Sequence, residues 1–419
     1  MRLFLSFLFL LLLSSLYAKL PMIATGNGTG YYIDAGGSLY SWGVNDQGQL
    51  GLGHHDTLLV AKRVDDSQWI WVSSQEAAVF GLKADSTLWA WGNNHRGILG
   101  LGDTLSRNRP TQVGTAKWIK VSACFSSSNG KKVPWSIGMQ ADSTIWTWGS
   151  NADQRTTTIV NMFLGHGDSL DQWQPRQVGH KKWLDYAATS SHTIALDQDS
   201  LLWGWGRNKN GNLGVVGEKG TMLFYYFIEP TLIDGERKWI KVWAGDETSY
   251  MQAVDRAIWG MGANPEALYR GLWDPVLEPL FLFQNPPLEM SVARDHYYAL
   301  DEDSLLRSQG KSFGSELGKR RMSYGGGRNE IGVRVKEDEW QWQTVGTSEA
   351  TSAALRTDGV IYWWGNTTHW IVIPNQYNFG VQPFGQAVLF DTLPPVEIPK
   401  DSADTNPTGI SAAKPTLVA

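Results

Sequence analysis

The chain has 419 residues, a formal net charge of −5, a single cysteine and 22 tryptophans. The lone cysteine, Cys124, excludes an intramolecular disulfide, so burial alone must hold the fold. Lysines and arginines are scattered with no basic stripe to follow a phosphate backbone, which argues against a nucleic-acid partner.

Residues 1–18 read MRLFLSFLFLLLLSSLYA: one arginine, an apolar run over 3–13, then Ser14, Ser15 and the small Ala18. This order predicts a secretory signal peptide cleaved after Ala18. The competing reading is a membrane anchor. The expectation is a secreted chain, extracellular or periplasmic, with no membrane span once the leader is removed.

From there the chain repeats. An aromatic, a spacer, an aromatic and a glycine recur at intervals of roughly 50 residues, ending at Gly43, Gly92, Gly149, Gly206, Gly262, Gly310 and Gly365. The residue before the glycine is Trp42, Trp91, Trp148, Trp205 or Trp364, with Met261 and Gln309 as departures. Three before it stand Tyr40, Trp89, Trp146, Trp203, Trp259 and Tyr362, with Arg307 in the sixth copy. Four before it the residue is aliphatic in every copy. Alternate residues of a strand share a face, so both faces here are apolar and both are buried. That pattern makes the tryptophans architecture first.

Upstream of each such strand, Asp85, Asp142, Asp199, Asp255, Asp303 and Asp358 precede Ser, Arg or Gly, predicting tight hairpins in which aspartate forms the turn. A further strand precedes the turn, and before that a Trp-led strand starts at Trp69, Trp118, Trp183, Trp239 and Trp340. After the glycine comes a loop such as NDQGQLGLG from Asn45 or NHRGILGLGD from Asn94. Its closely spaced glycines suit positive φ, and no P-loop lysine follows. A fourth strand carrying a proline fits the outer edge of a sheet. Four strands per unit and seven units predict an all-β, seven-bladed β-propeller over residues 19–390, with a disordered, proline-rich tail over 391–419.

These residues resemble the regulator of chromosome condensation repeat, most clearly over 69–102 and 183–214 and in the run 40–53. The resemblance implies the family's seven-bladed propeller. Joined to the leader, it implies a secreted, bacterial member of the propeller type that includes a secreted β-lactamase inhibitory protein. The family's nuclear founder exchanges guanine nucleotide on a small GTPase and binds chromatin, and the leader and acidic charge speak against that role. The third copy has extra residues around 126–132 and a longer loop at 152–162, and the fifth to seventh copies lose parts of the pattern. A partner site is expected where symmetry breaks.

Candidate partner anchors are Tyr225 and Tyr226 in MLFYYFI (222–228), Trp273 and Trp370, set against the alternative of an ordinary buried strand for 222–228. His192 and His296 share one repeat position and read as structural hydrogen-bonding groups. His54, His55 and His166 lack metal-ligand spacing, and no catalytic order of Ser, His and Asp or of paired acids stands out. The expected function is a non-enzymatic, monomeric, protein-binding propeller with no metal or cofactor, using loops on one face. The alternative is a carbohydrate-binding lectin whose tryptophans stack on sugars, which requires those tryptophans to be exposed.

Overall fold

The computed structural model describes residues 21–26, 28–128, 131–151, 162–208, 211–214, 226–245, 247–262, 276–283, 287–292, 296–310, 330–334, 341–347, 351–365 and 382–387. The leader and the tail lie outside them. No described helix is long and apolar enough to cross a membrane.

The strands come in fours. The first unit is β1 (Met22–Thr25), β2 (Thr29–Ile33), β3 (Leu39–Gly43) and β4 (Leu58–Arg63). Next come β5 (Trp69–Gln75), β6 (Ala78–Lys83) and β7 (Thr87–Gly92), then the long β8 (Arg107–Ser128). The N-terminal part of β8 is the outer strand beside β7; its C-terminal part is the first strand of the next unit, with β9 (Lys131–Gln140), β10 (Ile145–Gly149) and β11 (Gln172–Gln177). The fourth unit is β12 (Trp183–Ala188), β13 (His192–Asp197), β14 (Leu202–Arg207) and β15 (Tyr226–Asp234). The fifth is β16 (Trp239–Ala244), β17 (Thr248–Ala253), β18 (Ile258–Gly262) and β19 (Val276–Phe283). Then follow β20 (Glu289–Val292), β21 (His296–Leu300), β22 (Leu306–Gly310) and β23 (Glu330–Arg334). The last are β24 (Trp342–Thr347), β25 (Thr351–Arg356), β26 (Ile361–Gly365) and β27 (Gln382–Ala387). Among the described residues every strand pairing is antiparallel and between consecutive strands, so the all-β expectation with four-stranded blades holds.

First strands succeed one another around a ring: β5 lies on β1, β16 on β12, β20 on β16 and β24 on β20. The ring closes where β1 packs on β24 and β25, with Ile23 among Ala353, Leu355 and Ile361. Among the described strands none is exchanged between the first and last sheets, which meet face to face.

Burial between sheets follows the repeat. Trp91, Trp148 and Trp205, with Trp69, Trp118, Trp183, Trp239 and Trp342, are fully buried or nearly so. Within the second and third units Trp69–Trp91 and Trp118–Trp148 meet edge to face at 5.6 and 5.7 Å, the arrangement the ring quadrupole favours.

Each middle hairpin closes with the N–H of the residue after the aspartate bonding the carbonyl three residues back, as in Ser86 to Lys83, Ser143 to Gln140 and Ser200 to Asp197. That closing residue is left-handed, φ +65°, +67° and +62° in these cases. Its own carbonyl then accepts the N–H of the next sheet's leading tryptophan: Ser86 from Trp118, Ser143 from Trp183, Ser200 from Trp239, Ser304 from Trp342. Asp85 and Asp142 hold their turns through Thr87 and Thr144, as expected of turn formers.

Two details differ from the sequence reading. In the fourth unit Asp197, not Asp199, accepts the turn N–H groups, from Asp199 and Leu201, because its side chain lies inside the turn. In the last unit the described strand begins at Trp342, which caps Ser304 and pairs with Arg356, while Trp340 lies outside the described residues.

Candidate functional site

Two surfaces combine exposed side chains with a fixed frame: the loops after each third strand, and the inner wall of the ring.

The loops are clamped by an asparagine two residues past the repeat glycine. Asn45, Asn94, Asn151 and Asn208 each accept, through Oδ1, the N–H of Leu50, Leu99, Leu164 and Leu213 at 2.9, 2.9, 3.1 and 2.9 Å. Nδ2 of the first three donates to the carbonyls of His54, Asp103 and Asp168. Gly92 joins strand to loop at φ +89°, and a Cβ there would stand 1.9 Å from the Ala77 carbonyl oxygen, so only glycine fits. The loops also bind the next sheet. Trp91 Nε1 donates to the Gln49 carbonyl at 2.8 Å, Trp148 to Ile98 at 2.7 Å, and Trp205 to Phe163 at 3.0 Å.

The N–H groups after Gly43, Gly92 and Gly206 bond the turns joining first and second strands, so loops and those turns share one face of the ring. On that face Leu105 (67% exposed), Leu170 (63%) and Trp173 (50%) stand in solvent. Trp173 lies against Gly97, and its carbonyl accepts Gly102 N–H. Arg96 crosses the same seam to Asp171 at 3.2 Å and to Ser150 at 3.1 Å.

His166 belongs to this loop system. Its Nε2 lies 2.9 Å from Thr147 Oγ1, whose proton goes to the Leu164 carbonyl, so the ring donates from Nε2. Burial lowers its pKa to about 4. A groove of about 530 Å³ runs past His166, Arg176, His180 and Lys181.

The inner wall has a different origin. A bulge interrupts the first strand two residues after its leading tryptophan, between Trp69 and Trp71, Trp118 and Lys120, Trp183 and Asp185, Trp239 and Lys241, and Trp342 and Thr344. A bulge breaks the alternation and re-aims consecutive side chains. Accordingly Leu184 (42% exposed) and Ile240 (48%) are solvent-exposed beside Asp185 and Lys241, and Leu288 (53%), just before β20, is exposed beside Glu289. Lys120 Nζ bonds Asp185 at 3.0 Å and the Tyr186 carbonyl at 2.6 Å, and Thr344 Oγ1 donates to Glu289 at 3.0 Å. Lys241 is solvent-exposed at the wall, and partial desolvation there holds its pKa below the usual lysine value; Asp185 and Glu289 oppose the effect and Lys120 adds to it.

Of the sequence-predicted anchors, Tyr225, Trp273 and Trp370 lie outside the described residues, each between the third and fourth strands of its unit. Tyr226 starts β15, paired with Arg207 and half-buried, and burial raises its hydroxyl pKa. His192 is buried, with Nε2 2.7 Å from Ser249 Oγ and Nδ1 2.9 Å from Ser191 Oγ. Its environment lowers the pKa to about 3 through desolvation. Cys124 is buried and its thiol is pushed up for the same reason. Among the described residues no group of three or more His, Cys, Asp or Glu is placed to hold a metal ion.

Sequence reasoning missed Lys120, Asp185, Lys241 and Glu289, and also Trp173. The first three could be found by aligning the Trp-led strands WIK, WLD and WIK at their third residue.

The regulator of chromosome condensation (RCC1) repeat pattern matches residues 36–64 and 85–125, and a second RCC1 repeat pattern matches 187–212. The X-linked retinitis pigmentosa GTPase regulator homolog of Caenorhabditis elegans is 32% identical over 82 residues, 19% of this chain and 5% of that protein. The ultraviolet-B receptor UVR8 of Arabidopsis thaliana is 30% identical over 220 residues, 52% of this chain and 48% of the receptor. The chain therefore spans less than half the length of either relative. Prp20p from Saccharomyces cerevisiae, a protein with binding properties to Gsp1p and histones, superposes with a TM-score of 0.68 at 16% identity, over 89% of this chain and 87% of its own. Yeast RCC1 (Prp20) bound to Kap60 gives 0.64 at 18% identity, over 89% and 84%. This chain carries RCC1 repeats, and its sheets form a β-propeller like that of yeast RCC1.

Proposed function

We propose that the chain is a secreted, non-enzymatic, seven-bladed propeller that holds a protein partner on the face of the glycine-rich loops. One observation carries this: Leu105 and Leu170 are held exposed on loops that asparagine clamps and seam hydrogen bonds make rigid, with Trp173 exposed beside them at the start of β11. Apolar and aromatic anchors on a pre-organised frame bind without a large ordering cost. Prp20p, with its binding properties to Gsp1p and histones, supports a protein partner as the class of ligand. The leader supports export, and a monomer is the simplest assembly. Trp91, Trp148 and Trp205 are buried between sheets and offer no ring face to a sugar, so the lectin alternative loses its main support.

The test is a pull-down with the mature chain against extracellular and periplasmic proteins, beside a glycan array. The expected result is a saturable protein partner lost in the variant Leu105→Asp, Leu170→Asp, Trp173→Ala. Glycan binding with no protein retained overturns the reading.

A further inference from the structure

The inner wall opens at the end of the ring where the leading tryptophans and the Asp-Ser turns lie, opposite the loop face. Along it the third to sixth sheets place Lys120, Asp185, Lys241 and Glu289 at one register, so charge alternates in sign from sheet to sheet. Lys120 and Asp185 satisfy each other. Among the described residues Lys241 has no carboxylate within 4 Å; its ammonium lies 5.0 Å from the centre of the Trp243 ring. Beside Asp185, Lys241 and Glu289 stand Leu184, Ile240 and Leu288 on the same three sheets, all exposed. Exposed aliphatic side chains one residue from exposed or half-buried charges are well suited to an amphipathic molecule.

We propose that this wall binds a small zwitterion with an apolar side chain, of the class of the free apolar α-amino acids. The ligand carboxylate meets the Lys241 ammonium, its ammonium meets Glu289, and its side chain lies on Leu184, Ile240 and Leu288. A plain carboxylic acid meets Lys241 but faces Glu289 and Asp185 unfavourably. An amine meets the acids but is repelled by Lys241. Only a molecule with both charges satisfies the row.

The probe is L-leucine, added to the purified mature chain and followed by titration calorimetry. Saturable binding is expected, weaker by at least about tenfold for N-acetyl-leucine, which lacks the ammonium, and for leucine amide, which lacks the carboxylate. Glycine is expected to bind more weakly for want of apolar contact. Lys241→Met should abolish leucine binding and Lys241→Arg should retain it in part, each at an unchanged melting temperature. If Lys241→Met fails to fold, the comparison among leucine, N-acetyl-leucine and leucine amide on the unmodified chain decides alone. Equal affinity for all three, no saturable heat with millimolar leucine, or a folded Lys241→Met that binds as well as wild type overturns the proposal.

Discussion

The seam between the third and fourth sheets and the seam between the fourth and fifth solve one problem with different residues. In the first, the Phe163 loop carbonyl accepts Trp205 Nε1. In the second, the tryptophan position is Met261, which has no donor, and the equivalent loop carbonyl, of Asn212, accepts Ser249 Oγ at 2.6 Å. Ser249 in turn accepts His192 Nε2, so the seam gains a buried histidine where the other has an indole. What the fold requires is a donor to the loop carbonyl and an apolar body behind it. Tryptophan supplies both at once; a methionine and a serine supply them separately.

Four experiments break or sharpen this comparison. Trp148→Ala removes body and donor together and should cost about 3–5 kcal/mol by urea denaturation. Ser249→Ala strands both a buried carbonyl and His192, and should cost about 2 kcal/mol. The matched change Ser136→Ala should cost less than about 1 kcal/mol, because Ile98 keeps its bond from Trp148 Nε1. Equal losses at Ser136 and Ser249 would show that the serine is no substitute for the indole.

The third experiment is acid. His192 and His166 have folded pKa values of about 3 and about 4, against 6.5 for the ordinary side chain. Above that ordinary value both are neutral in the folded and unfolded chain and contribute nothing. Below it the unfolded chain binds protons that the folded chain refuses, so stability falls as pH drops through the window down to the folded values. His192 alone gives a slope approaching about 1.4 kcal/mol per pH unit. Denaturation at about pH 7 and about pH 5 reads it, and a stability flat across that interval contradicts the neutral, buried histidine. The smallest effect is at the turns. Ser200→Gly relieves a left-handed serine and should stabilise by up to about 1 kcal/mol, read as a raised melting temperature.

Most of the fold was legible because its rules are local. Spaced aromatics, a glycine at positive φ and an aspartate in a turn leave marks that a period of about 50 residues multiplies. The sixth copy looked broken at Arg307, yet Arg307 pairs with Asp301, as Lys83 sits 3.5 Å over the Trp89 ring at the equivalent pair of positions. The diagonal pairing survived although the residue types changed, and residue type was all the sequence displayed. The inner wall was not legible, because Lys241 and Glu289 belong to different repeats and nothing near Lys241 in sequence announces Glu289. Trp173 was passed over since it stands outside the repeat positions that draw the eye.

Exchange mapping of the chain with its captured partner tests the loop-face claim most directly. Amide hydrogen exchange should slow at residues 94–106 and 164–174 on binding, while the turns around Ser86, Ser143 and Ser200 on the opposite face exchange as before. Protection concentrated at those turns, with the loops unchanged, would contradict the assignment of the binding face.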